Sequence, residues 1–142
     1  MAKYQKVPTE FWKEPIVREM TPADKYFYLY LLTNPNITQI GIYRITKKQI
    51  AFDLGYSIET VHLLMERFAK HHKLIRYNPT TRELAIKDWG KDYLYKGNKQ
   101  MIFELKEVED LSLIQYVAES IHQQEIRNLF EFFYNQEEMI VN

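Results

Sequence analysis

Basic and hydroxyl-bearing side chains between residues 47 and 82 have the chemistry needed to contact DNA. Lysine and arginine neutralise phosphates. Hydroxyls at the start of a helix, together with the free N–H groups there, bind phosphates or base edges. The candidate DNA-binding residues are Lys47, Lys48, Ser57, Thr60, His62, Arg67, Lys70, Arg76 and Arg82.

Two acidic residues in the same stretch complicate this interpretation. Glu59 and Glu66 would repel phosphates, although Glu59 has the acceptor that a cytosine amine requires. Alternatively, Glu59 complements the dipole of its helix and Glu66 pairs with Lys70 one turn later. The sequence leaves both interpretations open.

Residues suited to catalysis or metal binding are sparse. The chain has no cysteine, which excludes disulfides, thiol catalysis and cysteine-based zinc sites. It has no glycine-rich phosphate loop and no nucleophile-elbow spacing. His71 and His72 suit a single metal poorly, because adjacent residues on a helix point about 100° apart. We therefore expect a protein that is not an enzyme and uses no metal or cofactor.

The formal charge sums to zero but is distributed unevenly. Residues 1–40 carry 5 basic and 4 acidic side chains, a balance of +1. Residues 41–87 carry 9 basic and 4 acidic side chains, a balance of +5. Residues 88–142 carry 5 basic and 11 acidic side chains, a balance of −6. A polyanionic partner is therefore expected at the middle of the chain only.

The size and composition are those of one folded unit. A length of 142 residues, with 46% hydrophobic and 15% aromatic residues, is sufficient for a hydrophobic core. No apolar run approaches the roughly 20 residues that span a bilayer, and the N-terminal stretch lacks the apolar segment of a signal peptide. We expect a cytoplasmic protein.

Three helices are predicted to support the candidate side chains. The first begins at the capping residue Thr21, carries Pro22 and Asp24 in its first turn, and runs to about Leu32. Asp24 is expected to complement the helix dipole. The second helix, "KKQIAFDL", follows Thr46 as its cap.

The third helix is predicted from a turn and an apolar stripe. Gly55 suits the left-handed end of the second helix, and Ser57 caps the third. The stripe has spacings of three and four residues and consists of Val61, Leu64, Met65 and Phe68.

Short strands complete the predicted fold. "GIYRI" at residues 41–45 has the composition of a strand, and residues 74–77 and 82–87 read as two strands around the turn "NPTT". The order helix, strand, helix, helix, hairpin predicts a mainly α protein with a small β-hairpin (α+β). Its fold would be a winged helix-turn-helix with an N-terminal arm and a C-terminal helical extension.

Three segments follow from this interpretation. Residues 1–20 form an N-terminal arm, expected to be extended and to pack on the body or on a second subunit. Residues 21–89 form the winged helix-turn-helix domain. Residues 90–142 form an acidic helical extension in which Ser112 can cap a helix, and we expect it to lead into a further C-terminal domain. The candidate contacts for self-association or for a partner are Phe11, Trp12, Leu63 and Trp89.

Several motifs together resemble one family. They are the Phe11-Trp12 arm with Pro15, the helix end "YLLTNP", the strand "GIYRI", the turn "DLG" and the "IKDWGK" that follows the hairpin. Over roughly residues 4–120, the chain resembles the N-terminal winged-helix domain of phage replisome organisers and of DnaD-like primosomal proteins of Firmicutes and their phages.

The resemblance implies a non-enzymatic role in starting DNA replication in the cytoplasm of a bacterial host. Such proteins bind double-stranded origin DNA or single-stranded DNA, self-associate as dimers or higher oligomers, and help to deliver the helicase loader and the helicase. In the primosomal relatives the winged-helix domain serves mainly in oligomer formation. Two alternatives remain: a protein-interaction scaffold whose winged helix does not contact DNA, and a transcriptional regulator that reads a palindrome as a dimer.

Overall fold

The computed structural model describes residues 3–94 and 98–136. It is mainly helical and contains a small three-stranded antiparallel sheet. The elements, in chain order, are a 3-10 turn (Thr9–Lys13), α1 (Pro15–Glu19), α2 (Pro22–Thr33), β1 (Ile42–Arg44), α3 (Lys47–Leu54), α4 (Ile58–Glu66) with a π-helical continuation (Arg67–His71), β2 (Ile75–Asn78), β3 (Glu83–Ile86), α5 (Trp89–Asp92), α6 (Asn98–Lys106), α7 (Leu111–Ala118) and α8 (Gln124–Tyr134).

The N-terminal arm is largely helical, so the prediction of an extended arm was wrong. The 3-10 turn is followed at once by α1, which begins at Pro15, where a missing N–H costs nothing. Phe11 and Val17 are buried, and the ring centroid of Phe11 lies 5.5 Å from that of Tyr28 on α2. The arm therefore packs on the body of its own chain.

The first predicted helix, α2, is confirmed and extends one residue further than expected. The side-chain oxygen of Thr21 accepts a hydrogen bond from the backbone N–H of Asp24 at 3.1 Å, which satisfies one free donor of the first turn. Phe27, Leu31 and Leu32 are buried, so α2 is a central element of the core.

The three strands form a sheet in the order β1-β3-β2. Ile42 lies opposite Ala85 in the first pair of strands, and Ile75 lies opposite Ile86 in the second. At the β1 edge, the side chain of Thr38 donates to the carbonyl of Ile42 at 2.7 Å. This side-chain bond satisfies an edge carbonyl that a further strand could otherwise have used.

Helices α3 and α4 follow the predicted turn. Thr46 caps α3 by accepting from the N–H of Gln49 at 3.0 Å, and Gly55 ends α3 in the left-handed conformation with φ 74°. Ser57 caps α4, as expected. The predicted stripe on α4 is fully or almost fully buried, and each such side chain contributes about 1.5–3 kcal/mol by leaving water. The predicted local structure of this segment is therefore confirmed.

The C-terminal helices pack onto the sheet. Helix α7 contacts β3 and β1, and α8 packs on α7 and α6. The buried residues of the arm, the middle region and these helices form one continuous cluster. Asp110, and not Ser112, caps α7, because its carboxylate accepts from the N–H of Ser112 at 3.1 Å. Among the described residues, no helix has the length and apolar character needed to cross a membrane.

Candidate nucleic-acid interface

The start of α3 lies beside the outer face of α4. Nζ of Lys47 is 2.9 Å from Nδ1 of His62. A lysine ammonium only donates hydrogen bonds, so Nδ1 of His62 is the acceptor in this contact. Helix α3 is itself held on α2 by a hydrogen bond of 2.6 Å from the Tyr30 hydroxyl to Asp53. Lys47 and His62 therefore belong to one surface that spans both helices.

The two predicted hydroxyls meet at the N-terminus of α4. The Ser57 hydroxyl accepts from the N–H of Thr60 at 3.1 Å and donates to the Thr60 hydroxyl at 3.0 Å. Both residues are exposed. The hydroxyl of Thr60 still has a proton to donate, so this end of α4 offers a donor to an acceptor on a ligand.

Lys70 is engaged within the chain. Its ammonium lies 2.6 Å from a carboxylate oxygen of Glu66 one helical turn earlier. The hydrogen bond and the charge of Lys70 lower the pKa of Glu66, with smaller contributions from His62 and Lys47. Glu66 is thus surrounded by three cationic or polar neighbours, and this part of α4 has little net positive charge.

Arg67 has a structural partner that the sequence did not indicate. Its guanidinium lies 2.5 Å from a carboxylate oxygen of Asp24, which is buried, and His72 contacts the other oxygen at 3.1 Å. Burial raises the pKa of Asp24, but the hydrogen bonds from His72 and Arg67 outweigh it, and the net pKa is lowered. This network fixes the end of α4 to the start of α2.

Arg76 is also engaged. Its guanidinium carbon lies 4.3 Å from the centroid of the Tyr116 ring on α7, the distance of a cation–π contact. Arg76 also lowers the pKa of Asp110 at the start of α7, although burial and three hydrogen bonds with Ser112 and Asn78 act on that carboxyl more strongly. The carboxylate of Asp110 thus partly neutralises the positive charge of Arg76 on β2.

Lys48 and Arg82 keep their charges available. Both are exposed, and neither side chain makes a hydrogen bond or an ion pair within the described part of the chain. Arg82 lies at the hairpin turn with φ 63°, a left-handed conformation held by a 2.7 Å hydrogen bond from its N–H to the carbonyl of Asn78. Of the nine predicted DNA-binding residues, these two are exposed cations that no hydrogen bond or ion pair within the described residues holds.

The four predicted partner contacts divide into two pairs. Phe11 and Trp89 are buried in the chain's own core, and the indole N–H of Trp89 donates to the carbonyl of Gln39 at 2.6 Å. A partner cannot reach either ring in this structure. Trp12 and Leu63 are 56% and 63% exposed, so these two side chains remain open to a partner.

The sequence did not indicate that the acidic loop at residues 107–110 lies beside the hairpin. Buried Glu83 accepts hydrogen bonds of 2.9 Å from the backbone N–H groups of both Glu109 and Asp110. Glu109 in turn pairs with Arg44 at 2.7 Å. The strand pattern "RELAIK" gave no sign that its glutamate faces inward, because the residues that satisfy it come from a distant loop. This loop adds negative charge beside the turn end of the hairpin, where Glu83 lies opposite Asn78 and the Asn78 amide donates to Asp110.

Lys73 is another basic side chain of the middle region, and it was not among the predicted DNA-binding residues. Lys73 is exposed and has φ 55°, a positive value that turns the chain from the end of the π-helical segment into β2. Its only sequence signal was membership of the basic middle region.

The surface of α3, α4 and the hairpin carries exposed basic and hydroxyl side chains that can contact an anion. Within residues 3–94 and 98–136, no cluster of three or more His, Asp or Glu side chains has an arrangement that could hold a metal ion. No protein-family model, curated protein or solved structure matches this chain.

Proposed function

We propose that this chain is a winged helix-turn-helix module that binds DNA and acts without catalysis in the initiation of DNA replication. In this role it self-associates and helps to recruit the helicase loader or the helicase. The resemblance of its motifs to phage replisome organisers and DnaD-like proteins supports the replication role. The order of elements, with α3 and α4 joined by the Gly55 turn and followed by a hairpin, supports the DNA-binding role.

One observation carries the DNA-binding role. The contact of 2.9 Å between Lys47 and His62 shows that the N-terminus of α3 and the outer face of α4 form one surface. In a helix-turn-helix, the first of these helices crosses the DNA backbone while the second lies in the major groove. The structure has the basic residue of the first helix directly beside the exposed side chains of the second.

The burial and pairing of the cations indicate which residues contact phosphate. Arg67, Lys70 and Arg76 are each held by a partner within the chain, and releasing them would cost the interactions described above. Lys48 and Arg82 lose no such interaction on binding. The phosphate contacts are therefore assigned to Lys48 and Arg82, with Ser57 and Thr60 at the N-terminus of α4. Lys47 is added to them because its partner, His62, lies on the same surface, so both side chains can face DNA together.

Fluorescence anisotropy with labelled duplex and single-stranded DNA over a salt series tests this assignment. Lys48→Glu and Arg82→Glu should each weaken duplex binding and reduce the slope of log affinity against log salt by about 0.9 per lost phosphate contact. Lys106→Glu, which makes the same charge change at an exposed position of α6, is the matched control and should leave the slope unchanged.

Binding that is absent at low salt would refute the DNA-binding role. Equal loss of affinity in all three variants would show that only the overall charge matters and would refute the assigned contacts. A preference for single-stranded DNA would show that the protein binds the single strand and not the duplex.

A protein-interaction scaffold is the second candidate, and a specific observation favours it. The centre of the exposed face of α4 carries Leu63, which is 63% exposed, between Glu59 and Glu66. Apolar and acidic side chains at this place suit a protein surface better than a phosphate backbone. A stable oligomer in light scattering, together with no DNA binding at low salt, would support the scaffold over the DNA-binding module.

A further inference from the structure

The outer face of α4 presents a leucine and a free carboxylate where a helix in the major groove meets the bases. Glu59 and Leu63 are four residues apart and therefore lie on one face of the helix. The opposite face is anchored in the core through Val61 and Leu64. Leu63 is 63% exposed and Glu59 is also exposed, so both point away from the protein.

The three side chains at the centre of this face differ in how they are engaged. Glu66 is bound by Lys70 at 2.6 Å. Glu59, in contrast, makes no ion pair or side-chain hydrogen bond with any residue in the described ranges. Leu63 has no polar atom in its side chain. The face therefore offers one unoccupied acceptor group and one apolar group.

Neither group can serve a phosphate, but each has a partner on a pyrimidine. In the major groove the C5-methyl of thymine is the apolar feature of the base edges, and the N4 amino group of cytosine is a donor that glutamate accepts. A carboxylate beside a phosphate is repelled, so its favourable position in the groove is at a base edge. The chemistry of this face therefore matches pyrimidines.

We infer that Leu63 and Glu59 are specificity-determining residues that read a thymine methyl and a cytosine amine in the major groove of duplex DNA. This inference rests on the proposed DNA-binding function. The two Cα atoms are separated by about 6 Å along the helix axis, from a rise of 1.5 Å per residue. Since base pairs are stacked about 3.4 Å apart, the two pyrimidines lie within about two base-pair steps of each other.

Selection from a random duplex pool with the wild-type protein supplies the sequence for the test. The selected duplex is then prepared with thymine or with uracil, which lacks only the C5-methyl, one position at a time. At the position facing Leu63, uracil should weaken wild-type binding about four-fold, the value of one methyl group leaving water. Leu63→Ala should bind both duplexes equally, because the methyl then has no partner.

The cytosine contact is tested in the same way with Glu59→Gln. This variant should lose the preference for cytosine over the other bases at one position of the selected site, by about five-fold or more. Glu125→Gln is the matched control, since Glu125 is also an exposed acid in the first turn of a helix, α8. Phe132→Ala, an apolar truncation at a 54% exposed position of α8, is the control for Leu63→Ala.

The outcomes separate the inference from the function on which it rests. Salt-dependent duplex binding in which uracil and Leu63→Ala have no coupled effect would overturn the reading by Leu63 and leave the DNA-binding function standing. Retention of the cytosine preference by Glu59→Gln would overturn the reading by Glu59 in the same way. Complete absence of duplex binding would overturn the proposed function and the inference together.

Discussion

Two glycines with nearly the same backbone conformation should respond very differently to alanine. Gly41 has φ 73° and Gly55 has φ 74°, both in the left-handed region that L-residues adopt at a cost of about 1–2 kcal/mol. The space around them differs. A Cβ at Gly55 would meet nothing within 4 Å, whereas a Cβ at Gly41 would lie 2.2 Å from Cγ of Trp89.

The indole at Gly41 has little room to move. Trp89 is fully buried, stacks on Tyr93 with ring centroids 4.5 Å apart, and donates its N–H to the carbonyl of Gln39 at 2.6 Å. The carbonyl of Gly41 is itself held by the N–H of Ile86 at 3.1 Å. Neither side of the contact can therefore shift without breaking a packed or hydrogen-bonded arrangement.

The expected magnitudes follow from these two situations. Alanine at Gly55 adds left-handed strain and removes about 0.4–1 kcal/mol of unfolded-state entropy, for a net loss of about 1 kcal/mol in the free energy of unfolding. Alanine at Gly41 adds overpacking of about 1–3 kcal/mol to the same strain, for a total loss of about 2–4 kcal/mol.

Urea unfolding followed by tryptophan fluorescence and circular dichroism measures the difference. With a denaturant slope of about 2 kcal/mol/M, the midpoint should fall by about 0.5 M for Gly55→Ala and by about 1–2 M for Gly41→Ala. Equal shifts for the two variants would refute the close packing of Trp89 on Gly41. A Gly41→Ala protein that does not fold would agree with the reasoning, provided that Gly55→Ala folds.

Three further predictions concern buried charge and the exposed part of the arm. Asp24→Asn should lower the free energy of unfolding by about 1.5–3 kcal/mol, because its two partners lose a charged acceptor. The lowered pKa of Asp24 gives stability that is present above the unfolded value and is lost as the pH falls through the folded value. Wild-type stability should therefore fall below about pH 4 more steeply than that of Asp24→Asn, and superimposable pH profiles in urea titrations would contradict this. Glu83→Gln should speed the hydrogen exchange of the two loop amides bonded to its carboxylate, whereas Glu107→Gln, at an exposed position, should not; unchanged exchange in both would argue against the buried anchor. Trp12→Ala should weaken self-association in light scattering, whereas Tyr4→Ala, at an 85% exposed position of the same arm, should not, and an equal effect of both changes would exclude Trp12 as a specific contact.

Local signals explain why so much of the middle region was predictable. A cap such as Thr46 or Ser57 acts on an N–H three residues away, and Gly55 ends a helix through its own φ angle. The apolar stripe on α4 likewise depends only on helical spacing. These features need no distant partner, so helices α2, α3 and α4 and the positions of the strands could be read from the sequence.

The arm and the C-terminal helices were predicted less well, for a related reason. The Phe11 segment has an apolar pattern that requires cover, but its hydrogen bonds close within short helical turns that no strong cap announces. Asp110 and Ser112 can both accept hydrogen bonds from nearby N–H groups. Asp110 is the cap of α7 because the loop geometry places it, and not Ser112, at the position before the helix.

The sequence alone determined the order of the elements and the identity of the residues on each helix face, because these follow from bonds between neighbours. Only the tertiary structure decided which candidate charges are available. Arg67 forms an ion pair with Asp24, which lies 43 residues earlier in the chain. Arg76 makes a cation–π contact with Tyr116 on a helix that packs on the sheet. Lys48 met no such partner within the described residues. Pairing of this kind depends on which distant segments the core brings together. It cannot be predicted from the spacing of residues along the chain.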